Sequence, residues 1–275
     1  MNRFRAFFNS IVFVIISKLI QILAVFIAGI YFTVRFPMVR DNKQDLNSFF
    51  ESNSLLITLI AWVVTFSVFL IIYLVSKKNM AYETKLDKGL SIKMVIICII
   101  CGIGINISID GILTLINIYD LVPKYEQLMT SISNNEFYAT IICVGILSPI
   151  FEELLYRGII LNKLRTGFSV FGAVMIQAIF FGIGHMNLVQ GTYAFLIGII
   201  FGYVVIWTGS LYSSIILHIT INVLSAVITN VQIQNMDFNY LITIIVTGVL
   251  LTIIGLRIIY AMRQNEENKV TEFMD

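Results

Sequence analysis

The chain is short of charge. Only 12% of its 275 residues are Asp, Glu, Lys or Arg, against about a quarter in a soluble domain, while 58% are hydrophobic and the mean hydropathy is +0.91. This balance excludes an ordinary soluble fold and predicts an all-α polytopic membrane protein, a single integral domain over residues 1–275. The net charge of +2 is spread through the connections between apolar runs, so the footprint of a nucleic-acid-binding protein is missing. Cysteine is also scarce. Cys98, Cys101 and Cys143 lie in apolar runs, and Cys98-x-x-Cys101 has no second pair to complete a zinc site, so all three read as small membrane-buried side chains. Histidine occurs twice, at 185 and 218.

What is present is a series of long apolar runs. The first follows Arg3 and Arg5 and is interrupted by Lys18; no small-residue cleavage site closes it, so retention is expected, as an interfacial helix followed by a span from about Leu19 or as a span whose lysine snorkels. A polar loop is expected over 35–53. Further spans are expected at Ser54 to Val75, Met94 to Ile116, Phe137 to Leu161, Phe168 to Met186, Gln190 to Trp207, Ser210 to Asn230 and Phe238 to Leu256, eight in all. With both termini in the cytoplasm, twelve basic residues fall inside, including Lys77, Lys78, Lys85, Lys88 and Lys93, and only Arg35, Arg40, Lys43 and Lys124 fall outside, as the positive-inside rule requires. The expected location is the cell membrane, with the bilayer as the first partner. Asn106 and Asp110, late in the third span, read as interfacial. Gly198 and Gly202 form a small-xxx-small pair for close helix packing.

One stretch breaks the pattern. Pro149-Ile150-Phe151-Glu152-Glu153-Leu154-Leu155-Tyr156-Arg157-Gly158 places two carboxylates and an arginine inside an apolar run, where each charge costs about 2.5 to 3.5 kcal/mol and needs a partner or a task. Glu153 and Arg157 are four apart, acid first, the order that suits an intrahelical ion pair. Glu152 points about 100° away and is left free. His218 and Asn222 share a helical face, and Gln177, Phe181 and His185 repeat at the same interval. One base, two imidazoles and an amide can hydrolyse an acyl bond: Glu152, helped by His185, activates water, while His218 and Asn222 donate to the oxyanion. Alternatively Glu152, His185 and His218 hold a Zn2+ whose bound water has a pKa near 7.

Glu152-Glu153-x-x-x-Arg157, Phe181-x-x-x-His185 and His218-x-x-x-Asn222, in this order on successive runs, resemble the CPBP family of intramembrane endopeptidases, which includes CAAX prenyl endopeptidases and bacterial Abi or bacteriocin self-immunity proteins. The resemblance covers residues 136–230 as a catalytic core. It implies an eight-helix fold with an intramembrane cavity, catalytic roles for Glu152, His185, His218 and Asn222, and the metalloprotease description that the family carries. Tyr156 stands where phenylalanine is common in the family. Other intramembrane proteases fit poorly: there is no His-Glu-x-x-His, Gly209-Ser210 lacks Gly-x-Ser-Gly, and Tyr119-Asp120 lacks a Gly-x-Gly-Asp partner. The expected substrate is a hydrophobic or lipidated peptide. The competing expectation is a non-catalytic immunity or scaffold protein that binds a toxin, a sensor kinase or another membrane partner.

One tension arises. Straight helices put His185 some 17 residues into its span and Glu152 about nine residues from the end of its own, at different depths. A break at Pro149, or a tilted or recessed fifth helix, would reconcile them.

Overall fold

The computed structural model describes residues 2–36, 43–133, 136–231 and 237–272. Eight apolar helices carry the fold: α1 (Arg3–Arg35), α2 (Lys43–Val75), α3 (Ile92–Leu115), α4 (Phe137–Arg165), α5 (Val170–Gly184), α6 (Leu188–Thr208), α7 (Tyr212–Val231) and α8 (Phe238–Glu272). Six are long and apolar enough to cross a bilayer, and α5 and α7 add shorter apolar stretches, so the architecture is an all-α multi-pass membrane bundle. Side-chain caps set several starts: Ser91 for α3, Ser169 for α5 and Asn187 for α6 each accept a hydrogen bond from a backbone N–H of the first turn. Gly209 ends α6 at φ +66°, a conformation that favours glycine.

The helices exceed the expected spans at several ends. Residues 43–53, expected as loop, form the first turns of α2, because Phe49 packs its ring 5.1 Å from Phe32 of α1 and so rewards helix there. Pro37, Arg40 and Asp41 lie outside the described residues. The expected loop from Asn117 contains two short helices, Ile118–Leu121 and Pro123–Ser133, the second started by a proline whose missing N–H costs nothing in a first turn. α1 is one continuous helix. Lys18 sits near its middle and points into the bundle, so it neither marks an interfacial segment nor snorkels to the headgroups.

α3 and α8 make the most extensive helix pair. Their backbones approach so closely that a Cβ on Gly104 would lie 2.8 Å from the Gly248 carbonyl oxygen. Asn106 is buried rather than interfacial: its amide donates to the Ile221 carbonyl and the Ser225 hydroxyl, tying α3 to α7. α5 and α6 form a tight hairpin in which Gly198 faces Ala178 and Gly202 faces Val174. Gln177, fully buried, fastens this hairpin by donating to the Gly198 carbonyl at 2.8 Å.

The connection between α2 and α3 is docked rather than free. Asn162 of α4 donates to the Glu83 carbonyl, the Lys85 carbonyl accepts from Leu211 N–H, and Ser210 donates to the Lys88 carbonyl. Lys85 is half-buried in this joint. Burial, then the charges of Arg165 and Lys88, lower its pKa from 10.5 to about 8.

Two outcomes follow. Gly104→Val should destabilise the bundle by about 1–3 kcal/mol, since the facing atoms are backbone, and detergent unfolding of the purified protein checks this. Between pH 8 and 10.5 the unfolded chain holds the Lys85 proton that the folded chain has lost, so stability should rise with pH across that window. Lys85→Gln should remove this component of the rise in pH-dependent melting curves.

Candidate active site

α4 is unusual along its length. Two π-helical segments, Ile141–Leu147 and Leu154–Leu161, flank the α-helical Ser148–Glu153. π-helical turns are rare and gather at functional sites. Pro149 does not break α4, since the residues around it keep helical dihedrals. In the first π-helical ladder Ser148 N–H bonds back five residues to the Cys143 carbonyl, so the next donor in line, Pro149, would have served Val144 and has no hydrogen to give. Asn222 of α7 supplies the missing donor: its Nδ2 bonds the Val144 carbonyl at 3.0 Å. The backbone is thus satisfied in a setting where an unpaired carbonyl is costly. The amide keeps a second N–H and lines the cavity described below.

The two carboxylates face different surroundings. Glu153 and Arg157 are both fully buried, and Arg157 Nη1 donates to Glu153 Oε1 at 2.7 Å. The Arg157 guanidinium lies 4.1 Å from the Phe181 ring centre and 5.1 Å from that of Phe201, so ring faces cover what hydrogen bonds do not. Glu153 Oε1 also accepts from His218 Nδ1 at 2.9 Å. Glu152 keeps 20% side-chain exposure and turns toward a cavity, where its Oε2 is 3.9 Å from His218 Nε2.

That cavity, about 490 Å3, brings together residues far apart in the chain. Glu152, His185, His218 and Asn222 all line it, and so does Cys143, which is half-buried where Cys98 and Cys101 are sealed in helix packing. The helices α1 and α2 close one side through residues such as Lys18, Gln21 and Trp62, the last stacked on Phe151 at 5.8 Å. Phe181 stands edge-on to both imidazoles, 4.8 Å from His185 and 5.8 Å from His218. Gln177, on the same helical face as His185, serves the α5–α6 contact instead of the cavity.

The depth tension disappears. α4 continues to Arg165, thirteen residues beyond Glu152, and α5 begins only at Val170, fifteen residues before His185. Both groups therefore lie roughly 20 Å of helix rise from the same short loop. The α5 helix stops at the cavity wall, which is what brings an imidazole to that level.

Each imidazole has one nitrogen committed. His185 Nδ1 donates to the Phe181 carbonyl at 2.9 Å, and His218 Nδ1 donates to Glu153, so Nε2 is the free nitrogen of both rings. The sequence pairs Glu152 with His185; the imidazole placed 3.9 Å from it is His218, with His185 on the same cavity wall. The three candidate metal ligands, Glu152, His185 and His218, line one cavity without forming a ligand set: among the described residues no three His, Cys, Asp or Glu side chains gather closely enough to hold an ion. The arrangement does not fit a three-ligand Zn2+ site.

Sequence reasoning missed Lys18 as a cavity residue and His218 as a partner of Glu153. A lone lysine at mid-span with a glutamine three residues on was the available signal for the first; the second had none, since the residues are 65 apart.

A multi-pass helical bundle enclosing a cavity lined by a carboxylate, two imidazoles and an amide defines the broad class, an integral membrane protein. Residues 134–224, a third of the chain, match the family model described as "Type II CAAX prenyl endopeptidase Rce1-like", in line with the resemblance carried by the three motifs. All four cavity residues named above fall within the matched segment; Lys18, Gln21 and Trp62 fall outside it. No curated protein and no solved structure matches the chain.

The two carboxylates should differ in what their loss does. Glu153→Ala strands a buried arginine and should cost about 3–5 kcal/mol, while Glu152→Ala, on a cavity wall, should stay within about 1 kcal/mol of the parent. Thermal unfolding of the two variants in the same detergent compares them directly.

Proposed function

We propose that the chain is an intramembrane endopeptidase that hydrolyses a peptide bond in a hydrophobic or lipidated, membrane-associated peptide. The observation that carries this reading is the convergence of Glu152, His185, His218 and Asn222 on one cavity within the membrane-spanning bundle. The family match over 134–224 supports a protease. The apolar wall contributed by α2 suits a hydrophobic substrate.

In this mechanism a water between the substrate carbonyl and Glu152 attacks the carbonyl carbon and passes a proton to the Glu152 carboxylate. His185, whose Nε2 is free, orients that water. Negative charge grows on the carbonyl oxygen and is received by the cavity-facing Nε2–H of His218 and by the second N–H of Asn222. The C–N bond then breaks as Glu152 returns its proton to the leaving amine. Glu153 does not touch the substrate; through Nδ1 it fixes which His218 nitrogen faces the cavity. The termini and the docked α2–α3 connection are assigned to the cytoplasmic side of the cell membrane.

Peptidomes of membranes carrying the wild-type chain should contain cleaved ends that Glu152→Ala membranes lack, with initial cleavage about 10²–10⁴-fold slower in the variant. A well-expressed Glu152→Gln chain that cuts at the wild-type rate would sink the mechanism. If instead nothing is cleaved and Glu152→Gln fully supports the cellular phenotype, the chain acts by binding a membrane partner.

A further inference from the structure

The last turn of α5 ends beside the cavity, and its four terminal carbonyls can be accounted for one by one. The Phe181 carbonyl accepts from His185 Nδ1, Gly182 from His185 N–H, and Ile183 from Met186 N–H, whose residue adopts φ +54° to make the turn. These three bonds come from within the turn. The fourth carbonyl, Gly184, accepts from Lys18 Nζ of α1 at 2.6 Å. The same ammonium donates to Gln21 Oε1 at 3.0 Å, so both of its hydrogen-bond partners are neutral.

We infer that Lys18 is a positioning residue for the site: it caps the broken end of α5 from another helix and thereby holds the His185 imidazole at the cavity. Carbonyls at a helix C-terminus lack intrahelical partners, and a cation there is favoured by the helix dipole. The bond acts on the residue directly before His185. On the other side of the turn the Tyr156 hydroxyl occupies the space a Cβ on residue 184 would need, so α4 backs the same residue that Lys18 holds. α1 is anchored independently at its start, where Ala6 and Arg3 pack against Gly167, so Lys18 is delivered to this level by a fixed helix. Lys18 also lines the cavity with Glu152, placing a cation opposite the proposed base without pairing with it. Lys18 lies outside the matched segment, so this positioning is supplied by the remainder of the chain.

The catalytic consequence rests on the peptidase reading, whereas the clamp does not, and the test separates them. The full chain labelled with 15N-histidine in nanodiscs gives two imidazole sets, assigned with His185→Gln. Lys18→Met keeps the stem and removes the donor. It should broaden or split the His185 set and leave that of His218 in place, and Lys18→Arg should restore a single His185 set. An unchanged His185 set in Lys18→Met overturns the inference. With a substrate found by peptidomics, Lys18→Met should lower kcat about 10–100-fold with KM within about threefold, as displacement of a positioned group does. A raised KM with unchanged kcat would make Lys18 a substrate-binding group instead and also overturns it. Should Lys18→Met not fold, Lys18→Gln, whose shorter side chain cannot reach as far, is read by the same two criteria. Absence of cleavage by the wild type counts against the peptidase reading alone, and the imidazole spectra still decide the clamp.

Discussion

A single oxygen, Glu153 Oε1, accepts from both Arg157 and His218, and the arrangement of the site depends on that sharing. A carboxylate and a guanidinium with no exposed surface are tolerable in the bundle only as a pair, and even then desolvation consumes much of their attraction. The pair is therefore better understood as a device for specifying geometry than as a source of stability. Arg157 fixes Glu153, Glu153 fixes the orientation of the His218 ring, and Phe181 packs against the arginine and both imidazoles. Glu152, the next residue along, is left at the cavity wall with partial exposure. Two adjacent glutamates thus have separate tasks because successive helical positions face different surroundings.

Much of the architecture was legible in composition and run length. Eight apolar runs became eight helices, because in a bilayer helix is the only open-ended way to satisfy the backbone. The family resemblance was legible in three short motifs, and the matched segment covers them. What the sequence could not convey was long-range pairing. The partner of Asn222 is a carbonyl freed by a proline 73 positions earlier, and a carbonyl leaves no trace in residue type. Lys18 was misread for the same reason: its acceptor is backbone, so no acidic residue advertised the contact. Helix ends were misjudged where aromatic packing, as at Phe49 against Phe32, extended a helix into polar sequence.

A second theme is interruption. The π-helical segments of α4, the proline between them and the early end of α5 all leave backbone groups that regular helix would have satisfied. Three of these groups are met by side chains that also line the cavity: Asn222 for Val144, His185 for Phe181 and Lys18 for Gly184. The polar groups needed to complete broken helices and those available for chemistry are thus drawn from one set. A membrane protein can in this way hold costly polar side chains at depth, since each is already required by the backbone.

The cavity wall has two origins. The matched segment supplies Glu152, His185, His218 and Asn222, while α1 and α2 close the opposite side with Lys18, Gln21 and Trp62. On the proposed peptidase reading, this partition separates what would be cut from how it would be cut. Residues on the α1 and α2 faces can be exchanged to admit a different chain without disturbing the groups proposed to act on the peptide bond, provided the lysine that reaches across to α5 is kept. Diversification of substrate choice on a constant core then has a physical location, the seam between the first two helices and the rest of the bundle.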